Sequence, residues 1–291
     1  MCAGVFDPMK SFCLLLPIAL LLAGCRSPTP TISSTADSHA DTNANLPAPK
    51  YFRPHPRHTP VLYIVGDSTV HISTPGLVGW GDVISNYFDS AKISVVNCAR
   101  PGRSSRTFIS QGWWQQILAT ARPGDFVIIQ MGHNDSDQIN NTNRSRGTIP
   151  GIGDTETNIV NGVTHEPEII HTYGWYLTEY ITDARAKGMT PILCTPVSRL
   201  PQPGKELDTT RYAAWMRAVA ATEYVPLIDL NRRVLDRWQG KTPDELKIEY
   251  FSTKDNTHFK PAGAELNAEC VVAGIRALED CPLKNSLLTQ P

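Results

Sequence analysis

The stretch Val61-Leu62-Tyr63-Ile64-Val65-Gly66-Asp67-Ser68-Thr69 opens the first regular element of the chain. Its five leading residues are apolar and mostly β-branched or aromatic, which is typical of a strand buried on both faces. Glycine and polar residues follow at once, so Ser68 lies where the strand ends. Because open α/β sheets bind ligands at the carboxyl ends of their strands, this stretch predicts an α/β fold with Ser68 in the crevice.

Further strands and helices alternate along the rest of the chain. Apolar runs that predict strands occupy residues 93–97, 126–130, 190–195 and 224–230. Helical spacing of apolar residues predicts a helix over about 168–187, which Gly188 ends, and a second helix from Pro261 to the C-terminal region. Such alternation favours a doubly wound, mainly parallel sheet with helices on both faces.

A second motif supplies the groups that would make Ser68 reactive. Asp255 stands three residues before His258, just ahead of the helix that begins at Pro261. A serine hydroxyl is a weak nucleophile unless a base removes its proton, and that base works best when a carboxylate orients it. The pair of motifs therefore predicts Ser68 as nucleophile, His258 as base and Asp255 as its orienting group.

Two blocks between these motifs fall where an ester-cleaving enzyme needs hydrogen-bond donors. The second predicted strand runs toward Gly102, and the third ends in Met131-Gly132-His133-Asn134-Asp135. A tetrahedral intermediate carries an oxyanion that preorganised N–H groups must meet. Gly102 can bring a backbone N–H close to a ligand because it has no Cβ, and Asn134 can offer a side-chain amide.

Taken in order, these blocks resemble the SGNH, or GDSL-type, hydrolases. Within that group the chain looks closest to the rhamnogalacturonan acetylesterases, carbohydrate esterases that deacetylate pectin. The finer likeness lies in Gly66-Asp67-Ser68-Thr69, in residues 102–108, 146–151 and 172–177, and in Asp255-Asn256-Thr257-His258-Phe259.

The resemblance implies a five-stranded flavodoxin-like sheet of order 2-1-3-4-5. It also implies an oxyanion hole formed by the backbone N–H of Ser68 together with Gly102 and Asn134. The implied activity is removal of acetyl groups from plant cell-wall polysaccharide, foremost the galacturonic acid residues of rhamnogalacturonan. An esterase for acetylated xylan or another glycan is the alternative, and a lipase, a thioesterase or a non-catalytic glycan-binding lipoprotein ranks lower.

Candidate substrate-binding residues lie in the loops beside these strand ends. Arg103, Arg106 and Arg199 could pair with galacturonate carboxylates, although ordinary structural salt bridges explain them equally well. His71 follows the nucleophile and could touch substrate or be a plain exposed loop residue. The polar insert 136–165 leaves directly from the third strand, and we expect it to contact substrate.

The first 24 residues predict a signal peptide rather than part of the fold. Lys10 precedes an apolar stretch that is too short to span a bilayer, and Leu22-Ala23-Gly24-Cys25 resembles a bacterial lipobox with Cys25 as the lipidation site. Translation could also start at Met9. These features predict Sec export and a cell-envelope lipoprotein, carried to the outer membrane in a Gram-negative host. A plain cleaved signal or a membrane anchor is the alternative.

Residues 25–50 are rich in Ser, Thr and Pro and predict a flexible tether, followed by an esterase domain over 51–281 and a tail over 282–291. The formal net charge of −1 gives no indication of nucleic-acid binding. We expect a monomer that meets the membrane only through its lipid. The partner is an acetylated polysaccharide substrate.

Four cysteines remain after the leader and Cys25. Cys98, Cys194, Cys270 and Cys281 show no metal-ligand spacing, so we expect no metal and no other cofactor. Disulfides are permitted in an exported protein, and a Cys270–Cys281 bridge is one possibility. Buried free thiols are the other.

Overall fold

The computed structural model describes residues 59–289 and contains seven strands in that range. The strands are β1 (Val61–Gly66), β2 (Ser94–Asn97), β3 (Phe126–Gln130), β4 (Glu156–Val160), β5 (Pro167–His171), β6 (Thr190–Cys194) and β7 (Leu227–Ile228). Five of them form one parallel sheet in the order β2-β1-β3-β6-β7, and β4 and β5 form a separate antiparallel pair. The doubly wound fold and the strand order implied by the family resemblance are confirmed.

Helices cover both faces of this sheet. They are α1 (Trp80–Val83), α2 (Ser105–Ser110), α3 (Trp113–Thr120), α4 (Tyr173–Ala186), α5 (Asp208–Thr222), α6 (Leu230–Arg237), α7 (Pro243–Glu249) and α8 (Pro261–Arg276). Side chains along β1 alternate between two cores: Leu62 and Ile64 pack with α1, α6, α7 and α8, whereas Tyr63 and Val65 pack with α2 to α5. Because both faces are covered, the strand is apolar throughout rather than alternating.

The helix predicted over 168–187 begins later than the sequence indicates. Residues 167–171 form β5, paired with β4, and α4 starts at Tyr173. The Thr172 hydroxyl accepts the backbone N–H of Trp175 at 3.1 Å and caps the helix. Ile169, which fits the helical stripe by spacing, lies on the hairpin with half of its surface exposed. The prediction is wrong there because strand pairing with a distant segment replaces local helical preference.

Two other boundaries also differ from the sequence prediction. The last strand is only two residues long, because Asp229 accepts the backbone N–H of Arg232 and begins α6. The segment predicted as a tail folds onto the domain instead: Leu283 is fully buried, and the Leu288 N–H donates to the Tyr87 carbonyl at 2.9 Å. The domain therefore continues to residue 289 in the described chain.

Several predictions fall on residues outside the described range 59–289. These are the signal peptide over 1–24, Cys25 as the lipidation site, the tether over 25–50 and the domain start at 51. Within 59–289, Cys98, Cys194, Cys270 and Cys281 are all buried free thiols, so the possible Cys270–Cys281 bridge is not formed. No helix in that range combines the length and apolar character needed to cross a membrane.

Candidate active site

Ser68 lies on a tight turn at the carboxyl end of β1. Gly66 makes the turn possible, because a Cβ there would lie 2.3 Å from the Val70 side chain. The buried Asp67 carboxylate accepts the Thr69 N–H at 2.9 Å and the Thr69 hydroxyl at 2.8 Å. These contacts set the direction in which the intervening Ser68 side chain points.

Ser68, His258 and Asp255 form one continuous hydrogen-bonded chain. Ser68 Oγ lies 2.8 Å from His258 Nε2, and His258 Nδ1 lies 3.0 Å from Asp255 Oδ2. The other Asp255 oxygen accepts the backbone N–H groups of Thr257 and His258, each at 2.8 Å. Burial raises the pKa of Asp255, but hydrogen bonds from His258 and Thr257 outweigh it, so the pKa lies below its ordinary value.

The loop that carries Asp255 and His258 is held from several sides. The Lys247 ammonium donates to the Asp255 carbonyl at 2.6 Å and to the Asn256 side chain at 3.0 Å. Arg199 donates to the Thr257 hydroxyl, and also to the His133 carbonyl at 2.8 Å. The role of Lys247 was not predictable from sequence, because a lone lysine on a short helix carries no recognisable signal.

Donors for an oxyanion converge from the next two strand ends. Gly102, which follows β2, has φ +78°, a conformation that favours glycine. The Asn134 amide donates one hydrogen to the Arg103 carbonyl at 2.8 Å, and its second hydrogen remains available. The backbone N–H groups of Ser68 and Gly102 have no acceptor within residues 59–289.

Two buried carboxylates, Asp67 and Asp135, and the buried His133 form hydrogen bonds at these strand ends. His133 Nδ1 lies 3.0 Å from Asp67, and its Nε2 lies 2.9 Å from the Val197 carbonyl, as expected for a buried histidine that shapes the site. Although burial raises the pKa of Asp67, the contact with His133 brings it below its ordinary value. Burial raises the pKa of Asp135 to about 7, even though Ser105 donates two hydrogen bonds to it.

A cleft of about 1000 Å³ opens over Ser68 and His258. Among the described residues that line it there are four arginines and no aspartate or glutamate; the arginines are Arg103, Arg144, Arg146 and Arg199. The insert 136–165 contributes to this lining through Asn143, Arg144, Arg146 and Val163. A cleft with this lining suits a polar, negatively charged ligand.

The four predicted substrate-binding residues have different positions. Arg103 and Arg199 line the cleft. Arg106 is only 1% exposed and donates to both oxygens of Glu168 and to the carbonyls of Ile139 and Gly147, so its predicted substrate contact is wrong. His71 Nδ1 lies 2.7 Å from Asp82, and the His71 side chain is one-third exposed and is not among the residues that line the cleft, as in the alternative of an exposed loop residue.

Arg144 and Arg146 are cleft arginines that were not predicted to contact substrate, although Arg146 begins the motif 146–151 that contributes to the family resemblance. Their signal was an Arg-Ser-Arg run inside a polar insert, which is too common to indicate a site alone. Ser145 between them is buried at φ +36°, a left-handed conformation rare for serine, and its hydroxyl contacts the Asn140 side chain and the Asn141 carbonyl. The strained turn is therefore held in place by its own hydrogen bonds.

No group of three or more His, Cys, Asp or Glu side chains within residues 59–289 is arranged to hold a metal ion. The chemistry that the cleft can perform with its own residues is nucleophilic attack by Ser68 on a carbonyl carbon. His258 would carry the proton, and the donors at Gly102 and Asn134 would meet the oxygen that becomes negative.

Comparison with known proteins identifies the family of this chain. The family model described as the GDSL-like Lipase/Acylhydrolase family matches residues 64–266. The chain is 33% identical to the probable rhamnogalacturonan acetylesterase YesY of Bacillus subtilis over 236 residues, covering 79% of this chain and 98% of the relative. It is 30% identical to the rhamnogalacturonan acetylesterase RhgT of the same organism, covering 79% and 94% of the two chains.

A solved structure shows the same fold at lower identity. An acetylxylan esterase from Geobacillus stearothermophilus superposes with a TM-score of 0.53 at 15% identity, covering 76% of this chain and 95% of that one.

Proposed function

Because this chain belongs to the GDSL-like lipase/acylhydrolase family and is a carboxylic ester hydrolase, we propose that it removes acetyl groups from polysaccharide through an acetyl-Ser68 intermediate. The observation that carries the proposal is the unbroken contact from Ser68 Oγ to His258 Nε2 at 2.8 Å and from His258 Nδ1 to Asp255 at 3.0 Å. A protein that only binds a ligand does not need a serine hydroxyl that is hydrogen-bonded to a histidine base.

In the first half of the reaction Ser68 Oγ attacks the acetyl carbonyl carbon while its proton passes to His258 Nε2. The carbonyl oxygen becomes an oxyanion and receives hydrogen bonds from the N–H groups of Ser68 and Gly102 and from the Asn134 amide. When the tetrahedral intermediate collapses, the bond to the sugar oxygen breaks. That oxygen takes the proton from His258, and the acetyl group stays on Ser68.

The second half reverses these roles with water as the attacking group. Water loses a proton to His258 and adds its oxygen to the acetyl carbon. Collapse of this second intermediate breaks the bond to Ser68 Oγ, which recovers the proton from His258, and the acetic acid that leaves loses its own proton to solvent to become acetate. Asp255 stays ionised throughout and favours the protonated imidazole that forms in each half.

For the substrate we propose the galacturonic acid residues of rhamnogalacturonan. Arg103 and Arg144 line the cleft and form no salt bridge with a carboxylate within residues 59–289. Arg103 donates to the Gln111 side chain and the Pro101 carbonyl, and Arg144 interacts with Asp137 through charge alone, so both positive charges can still pair with a uronate group. Burial, and the nearby charges of Arg100 and Arg146, lower the pKa of the Arg103 guanidinium. A bound carboxylate would stabilise the charged guanidinium of Arg103 and so offset the effect of burial and of the neighbouring arginines. The names of the relatives, which specify rhamnogalacturonan, add support.

One set of assays tests both parts of the proposal. Ser68→Ala and His258→Ala should each lower kcat on p-nitrophenyl acetate by several orders of magnitude, with thermal unfolding near that of wild type. Substantial activity in folded Ser68→Ala would rule out the proposed nucleophile. Acetate release should be faster from native acetylated rhamnogalacturonan than from acetylated xylan or long-chain p-nitrophenyl esters. Preference for neutral xylan would overturn the uronate assignment, and preference for long acyl chains would indicate a lipase.

Ionic strength gives an independent test of the uronate contacts. Added salt screens attraction between exposed charges, with a Debye length of about 8 Å at 0.15 M. We therefore expect KM on acetylated rhamnogalacturonan to rise with salt while KM on p-nitrophenyl acetate stays nearly constant. Arg144→Ala should raise KM on the polysaccharide and make it less salt-dependent. A salt-independent KM on the polysaccharide would argue against the arginines as substrate contacts.

For cellular location we propose a lipoprotein of the bacterial cell envelope. The support is the sequence alone: an apolar leader after Lys10 that ends in Leu22-Ala23-Gly24-Cys25, followed by a Ser/Thr/Pro-rich segment. Such an anchor would hold the esterase domain at the membrane surface, where a long tether lets it reach a polymeric substrate.

A further inference from the structure

Arg146, on the insert 136–165, connects that insert to the oxyanion donors. Its side chain is only 14% exposed. Its Nε donates to Asp137 Oδ2 at 2.8 Å, and its Nη1 donates to the Gly102 carbonyl at 2.9 Å. A planar guanidinium can serve two acceptors in fixed directions, which an ammonium cannot do. Arg146 therefore holds the peptide group between residues 102 and 103, which directly follows the peptide group that carries the Gly102 N–H.

Asp137, which pairs with Arg146, also contacts the loop that carries Asn134. Its backbone N–H donates to the Asn134 carbonyl at 3.3 Å. Although burial raises the pKa of Asp137, the hydrogen bond and charge of Arg146 bring it below its ordinary value, so the carboxylate is ionised at neutral pH. Gly147 allows the two ends of the insert loop to touch, because a Cβ there would lie 2.0 Å from the Asp137 carbonyl oxygen.

The two donor loops need such a connection because they come from different strands. Gly102 follows β2 and Asn134 follows β3, and β1 lies between these strands in the sheet. Gly102 is held at φ +78° with few side-chain contacts of its own: a Cβ placed there would approach only Arg146 Nη1 within 4 Å, at 3.4 Å. Oxyanion donors are effective only when they are already aligned on the developing charge.

We propose that Arg146, oriented by Asp137, is a positioning residue that keeps the Gly102 N–H and the Asn134 amide aligned on the oxyanion. The inference rests on the proposed function, in which those groups stabilise the tetrahedral intermediates. Arg146 then acts on kcat for any acetyl ester, whether or not the substrate carries charge. If instead it bound a substrate carboxylate, its loss would raise KM on anionic polysaccharide and spare a neutral ester.

The test uses p-nitrophenyl acetate, which is small and uncharged. Arg146→Ala and Asp137→Ala should each lower kcat roughly 10-fold or more, but by less than the 10²–10³-fold typical of losing a donor outright, with KM changed less than about twofold. Arg146→Lys should stay well below wild type because one ammonium replaces the two-acceptor fork. Wild-type kcat in Arg146→Ala or Arg146→Lys would overturn the proposal.

A boronic acid inhibitor separates positioning from general loss of structure. Its adduct with Ser68 is tetrahedral and anionic, so it needs the oxyanion donors as the transition state does. Its affinity should fall in Arg146→Ala by about the same factor as kcat/KM. Undiminished boronate affinity beside a lowered kcat would overturn the proposal. Arg237→Ala, which breaks an exposed pair with Glu269 away from the cleft, is the matched control and should change neither quantity.

Two further variants distinguish a failure of the role proposed for Arg146 from a failure of the proposed nucleophile. If Arg146→Ala does not fold, Asp137→Asn keeps the side-chain shape, removes only the charge, and should still lower kcat; wild-type kcat there would overturn the proposal. Ser68→Ala is assayed in parallel. Activity retained in Ser68→Ala would overturn the proposed nucleophile itself, whereas an inactive Ser68→Ala beside a fully active Arg146→Ala would overturn only the role of Arg146.

Discussion

At the scale of single residues, Arg106 illustrates how burial determines what an arginine does. It lies three residues after the cleft-lining Arg103, yet its guanidinium is buried and paired with Glu168, which is 20% exposed. Two backbone carbonyls, those of Ile139 and Gly147, accept the two hydrogens of its Nη1. Arg106 thus ties α2 to both the insert and the β4–β5 hairpin.

Arg106→Ala should therefore lower the stability of the protein rather than its substrate recognition. Removing one partner of a buried, hydrogen-bonded ion pair costs about 3–5 kcal/mol, because the other charge and the carbonyls lose their partners. Chemical denaturation measures the loss. Breaking the exposed Arg237–Glu269 pair with Arg237→Ala should cost less than about 1 kcal/mol. A small effect of Arg106→Ala on unfolding, with a selective loss of activity on pectin, would contradict this assignment.

At the scale of elements, the insert between β3 and α4 determines the shape of the cleft. Its first part carries Arg144 and Arg146, and its hairpin turn carries Val163, all of which line the cleft. The insert closes on itself where the Thr148 N–H donates to the Asp135 carbonyl at 3.0 Å and the Gly147 N–H to the Gln138 carbonyl at 3.0 Å. The long polar stretch is thus an ordered wall of the site.

A pair of glycine substitutions tests this closure. In Gly147→Ala the new Cβ would lie 2.0 Å from a backbone carbonyl oxygen, so the two ends of the loop must separate. We expect a lower melting temperature and a lower kcat on p-nitrophenyl acetate. Gly153→Ala is the control in the same insert, because nothing lies within 4 Å of its Cβ, and should change stability by no more than about 1 kcal/mol. Equal behaviour of the two variants would contradict the closure.

At the scale of the whole molecule, buried carboxylates make folding depend on pH. Burial raises the pKa of Asp135 to about 7, whereas an unfolded aspartate titrates near 4. Between these values the folded protein holds a proton that the unfolded chain has released. The free energy of unfolding therefore falls as pH rises from about 4 to about 7. Asp67, whose pKa is lowered in the fold, acts in the opposite direction at lower pH.

Asp135→Asn isolates this contribution. The variant cannot titrate at this position but keeps a side-chain oxygen for the Ser105 hydrogen bonds. Chemical denaturation from pH 4 to pH 8 should show wild type losing stability relative to Asp135→Asn up to about pH 7, and a constant difference above it. Parallel curves across the whole range would show that Asp135 titrates normally in the folded protein.

The proposed anchor also concerns the whole molecule. Cys25→Ser removes the only thiol in the lipobox-like Leu22-Ala23-Gly24-Cys25, so a lipid can no longer attach there. We expect the variant to leave the membrane fraction or to accumulate uncleaved. Mass spectrometry of the wild-type N-terminus should show a modified Cys25. Unaltered membrane association of the variant, with an unmodified cysteine in wild type, would contradict the lipoprotein proposal.

The sheet and the three residues of the hydrogen-bonded chain were predictable from sequence for local reasons. An apolar run such as β1 forms a strand through its own composition, and Asp255 reaches the backbone of His258 within a single turn. Ser68 and His258 are 190 positions apart, yet each follows a recognisable motif. Their meeting could be inferred because strand ends gather at one edge of a parallel sheet.

Other features depend on contacts between residues that are distant in the sequence, and local patterns do not indicate such contacts. β5 replaced the start of a predicted helix because β4 pairs with it, and Arg106 turned inward because Glu168 lies 62 positions away in the chain but adjacent in space. The same holds for Arg146, whose acceptor at Gly102 is 44 positions distant. The five strands of the parallel sheet and the motifs at their ends were predictable from the chain alone, because they depend on neighbouring residues. Which arginines face the cleft is visible only in the folded protein, because burial and pairing depend on which distant segments pack together.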